Sequence, residues 1–178
     1  VAADLDGDGR ADPGVFRPAN ATWYVLRSAG GILIRQFGGV TDLPMPADYD
    51  GDGIADIAVI RRNGASGAEW WIEQSSAGTL VHTFGNATDK FVPADYTGDG
   101  KTDVAVYRPT NGTWYVLRSN DFSYYAFPFG IETDTPAPAD YDGDGITDPA
   151  IWRGSTATWY IVTSSSGTFI VPFGATGD

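Results

Sequence analysis

The chain has no cysteine, one histidine and one methionine. Without cysteine, a disulfide framework and a thiolate zinc site are excluded. The single imidazole, His82, excludes a histidine dyad and argues against zinc and copper centres. Basic residues are also scarce, 11 Lys and Arg against 23 Asp and Glu, for a formal net charge of -12. An acidic chain with no basic run repels phosphate backbones, so nucleic acid is not an expected partner. No stretch approaches the roughly 20 apolar residues of a membrane span, and no membrane insertion is expected. The sequence opens at Val1 with neither Met nor a signal-peptide pattern, which reads as a mature or excised portion.

What the chain does have is aromatic residues and clustered acid. Six Trp, nine Tyr and nine Phe suffice for a core. Fifteen of the 23 acidic residues fall in four short segments, ADLDGDGRADPGVFRP from Ala3, ADYDGDGIADIAVIRR from Ala47, ADYTGDGKTDVAVYRP from Ala94 and ADYDGDGITDPAIWRG from Ala139. Their first aspartates are 44, 47 and 45 residues apart. Each segment is followed by an aromatic pair, Trp23-Tyr24, Trp70-Trp71, Trp114-Tyr115 and Trp159-Tyr160. Each repeat closes with Phe-Gly and an aspartate: Phe37-Gly38 to Asp42, Phe84-Gly85 to Asp89, Phe129-Gly130 to Asp134, and Phe173-Gly174 to Asp178. A fixed period of this length is the mark of a repeat architecture.

Within a repeat, runs of Val, Ile, Tyr, Trp and Phe between Gly, Asn, Ser and Pro predict four short strands. In the third repeat these are Phe91 to Tyr96, Val104 to Arg108, Thr113 to Ser119 and Tyr124 to Phe129. The connector Pro109-Thr110-Asn111-Gly112 ends in an Asn-Gly pair suited to positive φ, which makes strands two and three antiparallel neighbours. Nothing reads as a helix. The expected fold is all-β, a β-propeller of four-stranded antiparallel blades with four repeats in this chain. The whole of 1–178 reads as a single repeat domain, with blades near 1–42, 43–89, 90–134 and 135–178. A closed small propeller, a piece of a larger ring and an open stack all remain open readings.

Counting from its first aspartate, each acidic loop offers oxygen at positions 1, 3, 5, 7 and 9. Repeat one supplies Asp4, Asp6, Asp8, the carbonyl of Arg10, and Asp12; repeat two supplies Asp48, Asp50, Asp52, the carbonyl of Ile54, and Asp56. Repeat three supplies Asp95, Thr97, Asp99, the carbonyl of Lys101, and Asp103; repeat four supplies Asp140, Asp142, Asp144, the carbonyl of Ile146, and Asp148. Carboxylates this close resist ionising together without a cation, and an all-oxygen set wound on glycines suits Ca2+ better than the small octahedral Mg2+. One calcium per repeat is expected, up to four. Thr97 replaces a carboxylate, so the third site is expected to be the weakest. Four ions would bring the formal charge to about -4, relieving self-repulsion. An EF-hand is excluded at position 12, where its bidentate Glu would stand: the residues are Val15, Val59, Val106 and Ile151, which continue a strand.

These DxDGDGxxD loops, the strand after each and the closing Phe-Gly resemble FG-GAP or VCBS repeats, which build integrin-type β-propellers and many bacterial surface proteins. The resemblance spans essentially the whole chain. It implies calcium loops joining the first and second strands of each blade, with the metal serving structure rather than catalysis. Thr97 and the shorter blades depart from the integrin pattern, so no integrin function is carried over.

Other recurring residues have two readings. Arg17, Arg61, Arg108 and Arg153 share one repeat position, as a ring for an anionic ligand or as partners of nearby carboxylates such as the closing aspartates. The aromatic pairs serve either as core or, in their second members, as sugar-stacking plates; Tyr124 and Tyr125 also qualify for the latter. His82 sits on a predicted strand, Thr79 to Phe84, and is not expected to be catalytic. Asn20, Asn86 and Asn111 head N-glycosylation tripeptides that are also ordinary turn sequences. No set of titratable groups outside the loops suggests catalysis, so an enzyme is not expected. The expected role is an extracellular calcium-binding structural or adhesion module, with a protein or glycan ligand and self-assembly left open. The alternative is a glycan-binding or accessory module of a secreted hydrolase.

Overall fold

A computed structural model describes residues 1–64 and 67–176. Asp178, expected to close the fourth repeat, lies outside the described residues. Among the described residues sixteen strands form four sheets. The first holds β1 (Ala2–Ala3), β2 (Asp12–Arg17), β3 (Thr22–Leu26) and β4 (Ile32–Gln36). The second holds β5 (Leu43–Pro44), β6 (Ile57–Arg62), β7 (Ala68–Gln74) and β8 (Gly78–Thr83). The third holds β9 (Lys90–Phe91), β10 (Val104–Arg108), β11 (Thr113–Leu117) and β12 (Tyr124–Pro128). The fourth holds β13 (Thr135–Pro136), β14 (Ala150–Arg153), β15 (Thr158–Thr163) and β16 (Gly167–Pro172). Every sheet pairs its strands antiparallel in chain order, so the chain is all-β, built of four four-stranded propeller blades. They fall into two compact units, Val1–Ala87 and Thr88–Asp178.

Two local expectations need correction. The first strand of repeat three, expected over Phe91 to Tyr96, pairs as a ladder only at Lys90–Phe91, with an isolated bridge from Ala94 to Asp103. Pro93 brings no N–H, and the amide of Tyr96 donates to the Asp103 carboxylate instead of a strand. The second concerns Asn111-Gly112. Asn111 ends a 3-10 turn, Pro109–Asn111, and Gly112 alone takes the left-handed conformation, at φ 60°. The antiparallel pairing of β10 and β11 holds as expected.

The first three blades each hide one member of the aromatic pair, whereas Trp159 and Tyr160 of the fourth are both half-buried. Trp23, Trp70 and Trp114 are fully buried. Each indole N–H donates to a backbone carbonyl of the closing motif, at Phe37 (3.1 Å), Phe84 (3.0 Å) and Phe129 (2.9 Å). That bond accounts for the recurring Phe-Gly: the turn must aim a carbonyl inward, and the glycine after it sits at positive φ. At Gly130 a Cβ would also stand 2.7 Å from the Tyr107 hydroxyl. In the first unit Leu5, Trp23 and Val25 of one blade pack on Ile57 and Val59 of the next. In the second, Val92, Tyr96, Tyr107, Trp114 and Val116 pack with Ile151.

The repeated arginines resolve mainly into pairs with the closing aspartates. Arg61 grips Asp42 through Nε (3.0 Å) and a terminal nitrogen (2.8 Å); Arg108 grips Asp89 (3.0 and 2.9 Å), and Arg153 grips Asp134 (2.9 and 2.8 Å). The three aspartates are buried. The closing aspartate of one repeat thus meets the arginine of the following repeat. Each arginine also lies over the second aromatic of its own pair, 5.0 Å from Trp71, 4.4 Å from Tyr115 and 4.6 Å from Tyr160. Arg17 lies 4.5 Å over Tyr24 but meets no carboxylate among the described residues.

Removing one partner of such a pair leaves a buried charge unmatched. Arg153→Leu is therefore expected to lower stability by about 3 kcal/mol in denaturant unfolding, and adding Asp134→Asn to recover a clear part of the loss. Equal losses for the single and double variants would show that the pair has no coupling.

Candidate functional site

The four acidic loops are folded by their own carboxylates. The position-1 aspartates, Asp4, Asp48, Asp95 and Asp140, each accept the amides of the glycines three and five residues on, at 2.6 to 2.9 Å. Those amides point inward because the glycines take positive φ, for example 79° and 83° at Gly7 and Gly9. Position-5 aspartates, Asp8, Asp52, Asp99 and Asp144, accept the amides of Arg10, Ile54, Lys101 and Ile146. This is how the two-residue alternation becomes a tight oxygen-lined coil.

Position 9 has a different task. Asp12, Asp56, Asp103 and Asp148 are buried, and each divides its two oxygens between two segments. One oxygen accepts the position-2 amide, from Leu5, Tyr49, Tyr96 or Tyr141, at 2.9 Å. The other accepts the amide of Ser28, Ser75, Ser119 or Ser164, on the turn between the third and fourth strands, at 2.7 to 2.9 Å. Burial pushes the Asp56 carboxyl up to about 6 against the two amides, with the charges of Asp50 and Asp48 adding to the rise. Asp103 is raised by burial in the same way.

Those turn serines are the part of the site that the sequence reading missed. The Ser28, Ser75 and Ser119 hydroxyls donate to the position-5 carboxylates of Asp8 (2.7 Å), Asp52 (2.5 Å) and Asp99 (2.7 Å), and Ser164 donates to Asp144. Ser76 and Ser165 donate to the position-3 carboxylates of Asp50 and Asp142, both at 2.6 Å. A signal was present: serine stands 24 residues past the first aspartate in repeats one, three and four, and 27 past it in repeat two.

Carboxylate oxygens of Asp4, Asp6 and Asp8 lie within 4.8 Å of one another, as do those of Asp48, Asp50 and Asp56, and those of Asp140, Asp142 and Asp148. Among the described residues the third loop has no such group. Its Thr97 hydroxyl turns back to Asp95 instead, at 3.4 Å. In the fourth loop Oδ1 of Asp142 is buried with no hydrogen-bond partner, although its other oxygen has Ser165. An acceptor withdrawn from water among other carboxylates is satisfied by a cation, so the donor set fits an oxygen-seeking metal. Neighbouring loops also touch within each unit. The Ala55 amide donates to the Asp4 carbonyl (2.6 Å) and the Thr147 amide to the Asp95 carbonyl (2.7 Å).

Two matches to the model for the FG-GAP-like repeat cover residues 48–106 and 95–151, together more than half of the chain. The chain belongs to the FG-GAP-like repeat family. No curated protein matches this FG-GAP sequence. Its fold is similar to that of a solved Agrocybe aegerita lectin, described as specifically recognising non-reducing terminal N-acetylglucosamine, with a TM-score of 0.63 at 20% identity. The match covers 96% of the FG-GAP chain and 50% of the lectin, so this chain spans about half the length of that protein. At that identity the likeness concerns the fold.

His82, on β8, has its imidazole pushed down by burial, and Tyr125 packs on Phe127 with Arg118 4.6 Å over its ring. Among the described residues no helix is long and apolar enough to cross a membrane.

The division of labour within a loop is testable. Asp148→Ala strands two amides and is expected to cost about 2–4 kcal/mol even in chelator. Asp142→Ala should leave the melting of the chelated protein close to that of the parent, because its carboxylate is held by one serine, Ser165. Melting both variants in chelator checks this; an equal loss for the two would contradict distinct roles.

Proposed function

We propose that this FG-GAP chain is a non-enzymatic, extracellular calcium-binding module, whose loops brace the blades while their exposed surfaces bind a ligand. The observation that carries the metal reading is the trio of carboxylate groups together with the partnerless buried oxygen of Asp142. Positions 1, 3 and 5 supply the principal ligands, joined by the position-7 carbonyls of Arg10, Ile54, Lys101 and Ile146. Position 9 contributes at Asp56 and Asp148 while holding the turn. Bound calcium would neutralise carboxylates that otherwise repel. Exposed loops of this type fill where calcium is about millimolar, which supports an extracellular setting.

A glycan ligand is favoured by one feature of the first unit. A groove of about 560 Å³ opens between its two blades, floored by Leu5, Leu33 and Ile57 and edged by Arg27, Arg35 and Glu73. In the second unit the equivalents of Leu33 and Arg35 are Tyr125 and Phe127, whose stacked rings line a smaller cavity of about 250 Å³. Nε of Arg27 is buried without a hydrogen-bond partner, and Arg35 is paired with Glu73. An apolar floor beside fixed donors and acceptors is the chemistry that holds a neutral pyranose.

Calcium titration by calorimetry, with melting followed in calcium and in chelator, tests the metal reading. The expected result is a rise in melting temperature, three stronger sites and a weaker third-repeat site that Thr97→Asp strengthens about tenfold; no bound calcium overturns it. A glycan array run in calcium is expected to give binding that Arg27→Ala abolishes. Silence across the array would reject the sugar ligand while leaving the calcium result standing.

A further inference from the structure

Each unit holds two acidic loops, and one peptide group joins them. In the first unit this is the peptide between Ile54 and Ala55. Its oxygen is the Ile54 carbonyl, position 7 of the second loop. Its N–H donates to the carbonyl of Asp4, position 1 of the first loop, at 2.6 Å. The peptide between Ile146 and Thr147 repeats the arrangement in the second unit, with the Thr147 amide on the Asp95 carbonyl at 2.7 Å. A trans peptide is planar and points its oxygen and its N–H in opposite directions, so one end does not reorient without the other. Charge drawn to the oxygen also polarises the group and strengthens its N–H as a donor.

Side chains make the same link. Ile54 packs so closely on Gly7 of the first loop that a Cβ there would lie 2.9 Å from its Cγ1, and Ile146 packs on Gly98 of the third loop in the same way, at 2.8 Å. Gly7 and Gly98 are the glycines whose amides the carboxylates of Asp4 and Asp95 accept, at 2.7 and 2.6 Å. The sequence carries the pairing too, because position 7 reads Arg10, Ile54, Lys101 and Ile146, with isoleucine in the second loop of each unit. An isoleucine side chain offers no ligand oxygen, so its place against a glycine of another loop concerns packing between loops and not coordination.

We infer that the loops of each unit bind calcium as a coupled pair, first with second and third with fourth, through these two peptides and the isoleucines seated on Gly7 and Gly98. The inference rests on the calcium reading of the loops. Ordering of Ile54 to Asp56 around an ion fixes the Ala55 amide, which holds the Asp4 backbone and with it the carboxylate that winds the first loop. Linkage makes the effect reciprocal. The third loop, short of a carboxylate at Thr97, gains most from a filled partner.

Calcium titration of the 178-residue chain followed by amide NMR tests this, each loop being read through its own glycine, Gly9, Gly53, Gly100 or Gly145. Asp50→Ala takes a position-3 ligand from the second loop and is expected to weaken calcium binding read at Gly9 about fivefold or more. Asp6→Ala should weaken the second loop, read at Gly53, by a matching factor. Asp142→Ala should do the same to the third loop, read at Gly100. Ile54→Ala removes no ligand oxygen and is expected to weaken the first loop about threefold, with Ile54→Val recovering much of the loss. Melting in chelator checks that each variant keeps the parent fold. If calcium shifts the loop glycines but Gly9 and Gly100 titrate as in the parent in Asp50→Ala and Asp142→Ala, the loops are independent and the coupling is overturned while the calcium reading stands. Loop glycines that do not respond to calcium at all overturn both.

Discussion

A carboxylate with both oxygens held by backbone amides is a rigid joint, because two directions are fixed at one planar group. In each blade that joint is the position-9 aspartate, which ties the start of the acidic loop to the turn between the third and fourth strands. The rest of the blade end follows from it. With the loop anchored, the position-1 carboxylate can wind the glycines, and the position-3 and position-5 carboxylates are presented to one another and to the turn serines. Burial drives the carboxyls of Asp56 and Asp103 toward the protonated state. The paired amides at each of the two oppose that pressure.

The same economy of charge governs the contacts between repeats. An aspartate with no exposure is tolerable beside a bidentate arginine, and the arginine is in turn seated on an aromatic ring. Acid therefore serves three purposes: as a joint, as the clustered oxygens of the loops and as a latch. The strongly negative composition is the sum of repeated local solutions rather than a diffuse surface field.

Much of this was legible in the sequence because each repeat states it again. Four copies of the loop gave the blade count, and Phe-Gly marked the end of each blade. The position-12 residues Val15, Val59, Val106 and Ile151 excluded the helical alternative, and the third loop's deficit was visible in Thr97. Three things were not legible. Ligand position and joint position look alike when both are aspartate, so the special burial of Asp12, Asp56, Asp103 and Asp148 needed coordinates. Ser28, Ser75, Ser119 and Ser164 sit in turns where serine is ordinary, and their role depends on a contact about 20 residues away in sequence. Strand length failed at Phe91 to Tyr96, because a β-rich composition does not reveal that Pro93 withholds a donor and that a side chain captures the Tyr96 amide.

The central claim is that the aspartate joint, and not the metal, builds the blade ends. Amide hydrogen exchange in chelator tests it most directly. The account predicts strong protection at the amides of Leu5, Tyr49, Tyr96, Tyr141, Ser28, Ser75, Ser119 and Ser164 without calcium, with added calcium slowing mainly the loop glycines. Rapid exchange at those eight amides until calcium is supplied would contradict it, and would make the ion the organiser of the loops.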